Sequence, residues 1–232
     1  MIEDPPLLTL RRNFPRPASE ALAALTNLPT GYLVDAMSGR GALDYRIKPL
    51  DGMPGGLNAF CGTAVTCRTG PDDNLALFGA VEVAQAGDVI LAATDGFEGS
   101  AVIGDLVLAM ARNRGVVAFV TDGLVRDLDG IDEVGLPVFC RGVSPNSPAR
   151  NGPGTAGLPV TIGGVPVDSG DLVVGDRDGV VVVPRARVDA VIGALAAIRA
   201  AEAALEAKVQ AGLDIPDFIQ SLLASDRVRW VD

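Results

Sequence analysis

The 232-residue chain contains no histidine. That removes Ser-His and Cys-His nucleophilic pairs, and it removes histidine-ligated zinc. Lysine is nearly missing as well, with Lys48 and Lys208 alone. Cysteine is confined to Cys61, Cys67 and Cys140. An odd count without metal-ligand spacing reads as reduced, mostly buried thiols. Aromatic residues make up 4% of the chain, so a core has to be built from Val, Leu, Ile and Ala. No uninterrupted apolar run reaches the ~18 residues of a membrane span, and Met1-Ile2-Glu3-Asp4 lacks the basic start and apolar centre of a signal peptide. A cytoplasmic protein with no membrane partner is expected. Basic residues are outnumbered 19 to 29, for a net charge of −10. Nucleic acid is therefore not an expected partner, because phosphate binding needs a basic surface. A small anionic substrate fits only where positive charge is concentrated locally. With histidine gone, any metal must be held by oxygen, which favours Mg²⁺ or Mn²⁺.

What is present is 48% hydrophobic, enough for one large domain with appendages. The stretch Val116 to Asp127 organises the rest. Val116 to Thr121 is an unbroken apolar, β-branched run, the mark of a strand buried on both faces. Asp122-Gly123 stops it with a turn pair, and Arg126 and Asp127 follow. Polar groups just past the C-terminal end of a buried strand sit where open α/β sheets usually bind ligands. Before this stretch, Phe60 to Arg68 and Asp88 to Ala93 read as strands. Asn74 to Gln85 and Ser100 to Arg114 read as helices, the first stopped near Gly87 and the second at Gly115. Strand and helix in alternation predict a parallel or mixed sheet. After it, Pro137 to Cys140 is a short strand and Ser144 to Gly157 a loop. Residues 160–183 then form four short strands separated by Gly-rich turns, an all-β segment expected to form a second sheet packed on the first. The long Ala-rich stretch Arg187 to Gln210 is a helix. Residues 1–18 are expected as an extended arm, 19–212 as the main domain and 213–232 as an appendage with a short helix near Pro216 to Leu223.

Long phrases of this chain resemble the RraA-like family, named after a regulator of ribonuclease activity. They are Gly115 to Asp127, then Pro137-Val138-Phe139-Cys140-Arg141-Gly142, then Gly170 to Pro184. The resemblance runs from about Gly31 to Gly212. It implies a compact α/β/β sandwich, and a homotrimer or homohexamer with sites between subunits. The family contains metal-dependent aldolases acting on 4-hydroxy-4-methyl-2-oxoglutarate and 4-carboxy-4-hydroxy-2-oxoadipate, and also protein-binding regulators that bind and inhibit a ribonuclease without catalysis.

Aldol cleavage to pyruvate passes through an enolate, whose charge a lysine Schiff base or a divalent metal can stabilise. Neither lysine lies in these phrases, so metal chemistry is the expectation. By resemblance, Asp127 matches the metal-binding aspartate, and Arg126 the substrate arginine that stabilises the enolate. Gly104-Asp105-Leu106-Val107 matches the loop that holds a substrate carboxylate on free N–H groups at a helix start. Asp105 matches the acidic residue that holds water on the metal, where some regulators carry Asn. Glu202, on the long helix, matches a glutamate that a neighbouring subunit donates to the metal shell, with Glu206 one turn on as a fallback. Asp105, Arg126 and Asp127 together favour a lyase that cleaves a 4-hydroxy-2-oxo dicarboxylate and decarboxylates oxaloacetate. Asp122, Asp176 and Asp178 read as turn chemistry, Asp122 less firmly than the others. Glu98 is a loop residue without an assigned role. Residues 41–46 and the appendage are the places where substrate contacts could depart from the family.

Overall fold

The computed structural model describes residues 4–50 and 59–231. Residues 1–3 of the acidic N-terminal tetrapeptide lie outside them. In chain order the first elements are β1 (Leu8–Leu10), α1 (Ser19–Leu25), α2 (Thr30–Ala36), β2 (Lys48–Pro49), β3 (Phe60–Arg68), α3 (Leu75–Val83) and β4 (Asp88–Ala93). The middle of the chain gives β5 (Ala101–Ile103), α4 (Asp105–Asn113), β6 (Ala118–Thr121), β7 (Leu124–Val125), α5 (Leu128–Val134), β8 (Val138–Cys140) and β9 (Gly142–Val143). The last are β10 (Gly154–Ala156), β11 (Val160–Ile162), β12 (Val165–Val167), β13 (Leu172–Asp176), β14 (Gly179–Val183), α6 (Val188–Gln210) and α7 (Asp217–Leu223).

Strands β3, β4, β6 and β8 are parallel neighbours and form the centre of a nine-stranded mixed sheet. Every residue of β4 and β6 is buried, which is why both read as continuous apolar runs. Alternation sorts their side chains between two layers. Ile90, Ala92 and Phe119 face α3, α4 and α5. Val89, Leu91, Ala118 and Val120 face the small β11–β12 sheet, through Val160, Ile162 and Val167. A third core lies between α1, α2 and α6 and the β13–β14 hairpin. The result is the expected α/β/β sandwich with a long C-terminal helix. No helix among the described residues is long and apolar enough to cross a membrane.

Four local expectations need correction. Ala101 to Ile103 is a strand, and the helix begins only at Asp105. The three residues are fully buried and pair with β7, so tertiary pairing overrides their helical periodicity. Gly154–Ala156 is a strand inside the expected loop. Its small residues press against α3, where a Cβ on Gly154 would meet Ala76 at 2.8 Å. The expected N-terminal arm contributes β1, which pairs with β10. Finally, β13 and β14 do not join β11 and β12. They extend the main sheet, because β13 pairs with the first half of β3 while β10 pairs with its end. At the split, Thr66 donates its N–H to Ser169 Oγ and its hydroxyl to the Leu158 carbonyl.

Candidate active site

A second, three-stranded parallel sheet builds the site. Strands β5, β7 and β9 lie side by side in one direction. Their C-terminal ends release three loops at one place: Gly104-Asp105, Arg126-Asp127, and the segment beginning at Ser144. The ladder continues past the strands, with Arg126 N–H donating to the Ile103 carbonyl at 3.1 Å and Ser144 N–H to the Val125 carbonyl at 3.0 Å. Charged groups from three distant stretches therefore meet at strand ends. They surround a cavity of about 470 Å³, lined among others by Gly104, Asp105, Leu106, Val107, Arg126 and Asp127.

Within it, Arg126 Nε lies 3.3 Å from Asp127 Oδ2, with both side chains partly solvent-exposed. Arg126 Nη1 also donates to Ser147 Oγ. Asp127 has a left-handed backbone, φ +65°, a conformation that aspartate tolerates better than bulky residues. It occupies the N-cap of α5 without a side-chain capping bond, leaving its carboxylate to the cavity. Gly104 leaves room beneath it, since a Cβ there would overlap Asp127 Oδ2 and push the carboxylate aside. Gly130 does the same for Asp105, whose Oδ2 a Cβ would overlap. Gly104 caps α4 with extended backbone, so the first turn presents N–H groups lacking intrahelical partners. Asp105 Oδ1 takes one of these, from Leu106, at 2.7 Å.

Of the cavity residues outside β5, α4 with its Gly104 cap and the Arg126-Asp127 pair, none carried a signal in the sequence: Asn74, Ser147, Pro148 and Arg150. They belong to loops that only the fold brings there. Asn74 is 4% exposed and donates Nδ2 to the Val102 carbonyl at 3.2 Å. Its Oδ1 is buried without a partner among the described residues, an acceptor that bound water or ligand would satisfy.

The other candidates fall elsewhere. Glu202 and Glu206 line a separate groove of about 580 Å³ with Asp35, Ile198, Leu205 and Val209. Among the described residues, no three acidic or cysteine side chains of one chain converge on a metal position. Asp122 is structural: Oδ1 accepts the Thr94 N–H at 2.7 Å and the Thr94 hydroxyl at 3.1 Å, tying the ends of β6 and β4 together. Asp176 accepts the Thr30 N–H at 2.8 Å and its hydroxyl at 2.9 Å, fastening the start of α2. Asp178 donates its N–H to Asp176 within the same turn. Residues 42–45 line another pocket, and Arg46 grips Asp44 at 2.8 and 3.0 Å and holds its carboxyl well below the usual range. Glu98 lies 3.7 Å from Arg141. Cys61 and Cys67 are free thiols, and burial pushes the Cys67 thiol far up.

A family model described as Aldolase/RraA matches residues 30–182. The chain belongs to the RraA-like family. A protein of Halalkalibacterium halodurans, whose name proposes 4-hydroxy-4-methyl-2-oxoglutarate aldolase activity, is 38% identical over 165 residues, 71% of this chain and 77% of that protein. Among solved structures, RraAS2 of Streptomyces coelicolor, an unusual member of the RNase ES inhibitor RraA family, superposes with TM-score 0.71 at 27% identity, covering 84% of this chain and all of the other. The RNA-processing inhibitor RraA from Thermus gives TM-score 0.61 at 27% identity, covering 68% of this chain and 94% of that one. The RraA-like fold is thus shared by relatives named for catalysis and relatives named for inhibition.

Proposed function

We propose that this RraA-like protein is a divalent-metal-dependent lyase that cleaves a 4-hydroxy-2-oxo dicarboxylate, such as 4-hydroxy-4-methyl-2-oxoglutarate, to pyruvate. The observation that carries this reading is the convergence of Asp105, Arg126 and Asp127 on one cavity at the start of α4. The donor set fits a hard cation. Its carboxylate oxygens come without imidazole or thiolate, the chemistry that suits Mg²⁺ or Mn²⁺. Asp127 would hold such an ion directly or through water, with Asp105 beside it. The ion, when bound, supplies Lewis acidity at the keto oxygen.

The chain's own groups account for the rest. First-turn N–H groups of α4 take the substrate's C1 carboxylate, helped by the helix dipole. Cleavage of the C3–C4 bond turns the C4 hydroxyl into a carbonyl as its proton leaves, and the electron pair passes into the C2–C3 enolate. The Arg126 guanidinium lies where charge grows on the enolate oxygen and stabilises it. Asp105 accepts the hydroxyl proton through water, and a proton returned to C3 completes pyruvate. Oxaloacetate offers the same enolate by loss of CO₂ and is the expected second substrate.

The groove bearing Glu202 lies apart from this cavity, so Glu202 enters the reading through a neighbouring subunit of a homotrimer or homohexamer. That groove is acidic and apolar. The cavity rim carries Arg126 and Arg150, and α4 beside it exposes Leu106 and Met110. Two different complementary surfaces on one chain suit a head-to-tail ring. The test is pyruvate release from both oxo acids with Mg²⁺ or Mn²⁺, repeated with chelator. Activity that survives chelation removes the metal from the mechanism. A second reading, inhibition of a ribonuclease by protein contact, draws support from the exposed Phe218 and Trp230 on the C-terminal tail and from the RraA relatives named as inhibitors. No turnover of any oxo acid, with ribonuclease inhibition present, would favour it.

A further inference from the structure

Ser147, Pro148 and Arg150 bring one loop into the cavity lining beside Asp105 and Asp127, and that loop is stapled to one buried carboxylate. Asp73 is 7% exposed. Its Oδ1 accepts the Leu75 N–H at 2.8 Å, and its Oδ2 accepts the N–H groups of Asn151 and, at 3.0 Å, Gly152. Backbone bonds flank the staple, from Asn74 N–H to the Ala149 carbonyl at 3.0 Å and from Ala149 N–H to the Asp72 carbonyl at 2.6 Å. The staple fixes two cavity residues. Ser147 holds Arg126, as described. Arg150 extends over the Phe78 ring, 5.6 Å from its centroid, and among the described residues it forms no ion pair or hydrogen bond. Most of the other cavity charges are engaged. Arg126 faces Asp127, and Asp105 takes a backbone N–H. Arg150 is a guanidinium at the cavity with its hydrogen-bonding groups uncommitted, and it shares the lining with the unpartnered Asn74 oxygen.

We infer that Arg150 is the specificity-determining residue that takes the second carboxylate of the substrate, and that Asp73 is the positioning residue that presents it. This rests on the proposed lyase reading. A 4-hydroxy-2-oxo dicarboxylate carries one carboxylate beside the keto group and one beyond the bond that breaks. The first is assigned to the start of α4, and the second then needs a cation elsewhere in the lining, beyond Arg126. A planar guanidinium can grip it with two parallel N–H bonds. The preferred substrate class is accordingly a dicarboxylate rather than a 4-hydroxy-2-oxo acid ending in a methyl group.

The experiment compares kcat/KM for 4-hydroxy-4-methyl-2-oxoglutarate with kcat/KM for 4-hydroxy-2-oxopentanoate, in the wild type and in Arg150→Met, Arg150→Lys and Asp73→Asn, with folding of each verified by circular dichroism. The ratio for the wild type should favour the dicarboxylate. Arg150→Met should lower that ratio by a factor on the order of 10 to 100, the worth of one charged hydrogen-bonded contact, mainly through KM for the dicarboxylate. Arg150→Lys should keep more of it. Asp73→Asn replaces one of the two acceptor oxygens by an amide NH₂, set against either the Leu75 N–H or those of Asn151 and Gly152, so it too should lower the ratio, an effect that a general loss of stability would not produce. A wild-type ratio near one, or a ratio that Arg150→Met leaves unchanged while the dicarboxylate is still cleaved, overturns this inference alone. A wild type that cleaves neither compound overturns the lyase reading and this inference with it.

Discussion

Asp127 combines an exposed carboxylate with a left-handed backbone, and it can do so because Gly104 leaves room underneath. Two expectations follow at this scale. Asp127→Ala should abolish metal-dependent turnover with the assembly intact, and calorimetric titration should show Mg²⁺ or Mn²⁺ affinity lost. Unchanged affinity would take Asp127 out of the site. Gly104→Ala is a subtler probe. The new methyl meets the mobile end of an aspartate side chain, so the fold should lose no more than about 0.5 kcal/mol. The displaced carboxylate should nevertheless weaken metal binding. Equal loss of stability and of affinity would mean that the helix start itself has been damaged. At Arg126, lysine keeps the charge but not the planar fork. Arg126→Lys should retain substrate binding and lose kcat by about 10²-fold or more, and near-normal kcat in steady-state assays would make Arg126 structural.

The elements show how much the sequence disclosed. The central strands, α3 and α6 were legible because unbroken β-branched runs and a long Ala-rich stretch each have one stable solution in a domain of this size. Arg126 and Asp127 stood out because they close a continuous phrase just past a buried strand, and Asp105 because the short stretch Gly104 to Val107 resembles the family's carboxylate loop. The strand Ala101–Ile103 was not. Three buried apolar residues before a helix look like its first turn until β7 is known to lie beside them. Asn74, Ser147 and Arg150 were invisible for a related reason. Their place in the cavity depends on β10 pairing with β3 and on the Asp73 staple, both long-range facts. The N-terminal arm was seen only as extended, yet it carries a charged anchor. Arg16 pairs with Asp88, whose side chain is 2% exposed, while stacking 4.5 Å over the Phe14 ring. Burial raises the Asp88 carboxyl above its usual range, partly offset by the Gln85 N–H and by Arg16. An acid raised in this way stabilises the fold below its unfolded value and loses that contribution as pH rises through the folded one. Arg16→Met strands the carboxylate and should cost about 3 kcal/mol at pH 7. Much of the deficit should disappear as the pH falls into the carboxylate range. Urea midpoints at pH 7 and at acid pH will show this, and a deficit independent of pH would mean that the pair is not what anchors the arm.

Across the whole molecule, α6 changes character along its length. Val188, Val191 and Leu195 are buried in the core that α6 shares with α1, α2 and the hairpin of β13 and β14, whereas residues 199–210 are exposed at every position. Glu202 lies in this unsupported half. If it completes the site of a neighbour, mixing inactive Asp127→Ala subunits with inactive Glu202→Ala subunits should restore partial activity, because some interfaces then pair an intact Asp127 with an intact Glu202. No recovery in verified mixed oligomers, or a fully active Glu202→Ala protein, would count against shared sites. The bare half of the helix also bears on how the rate scales with the amount of protein. A site divided between chains has no concentration-independent turnover number. Its specific activity should stay flat while the ring is intact and then collapse over the dilution range in which sedimentation shows the subunits parting. Excess metal and substrate, where they bridge the two halves, should move that collapse to lower concentration.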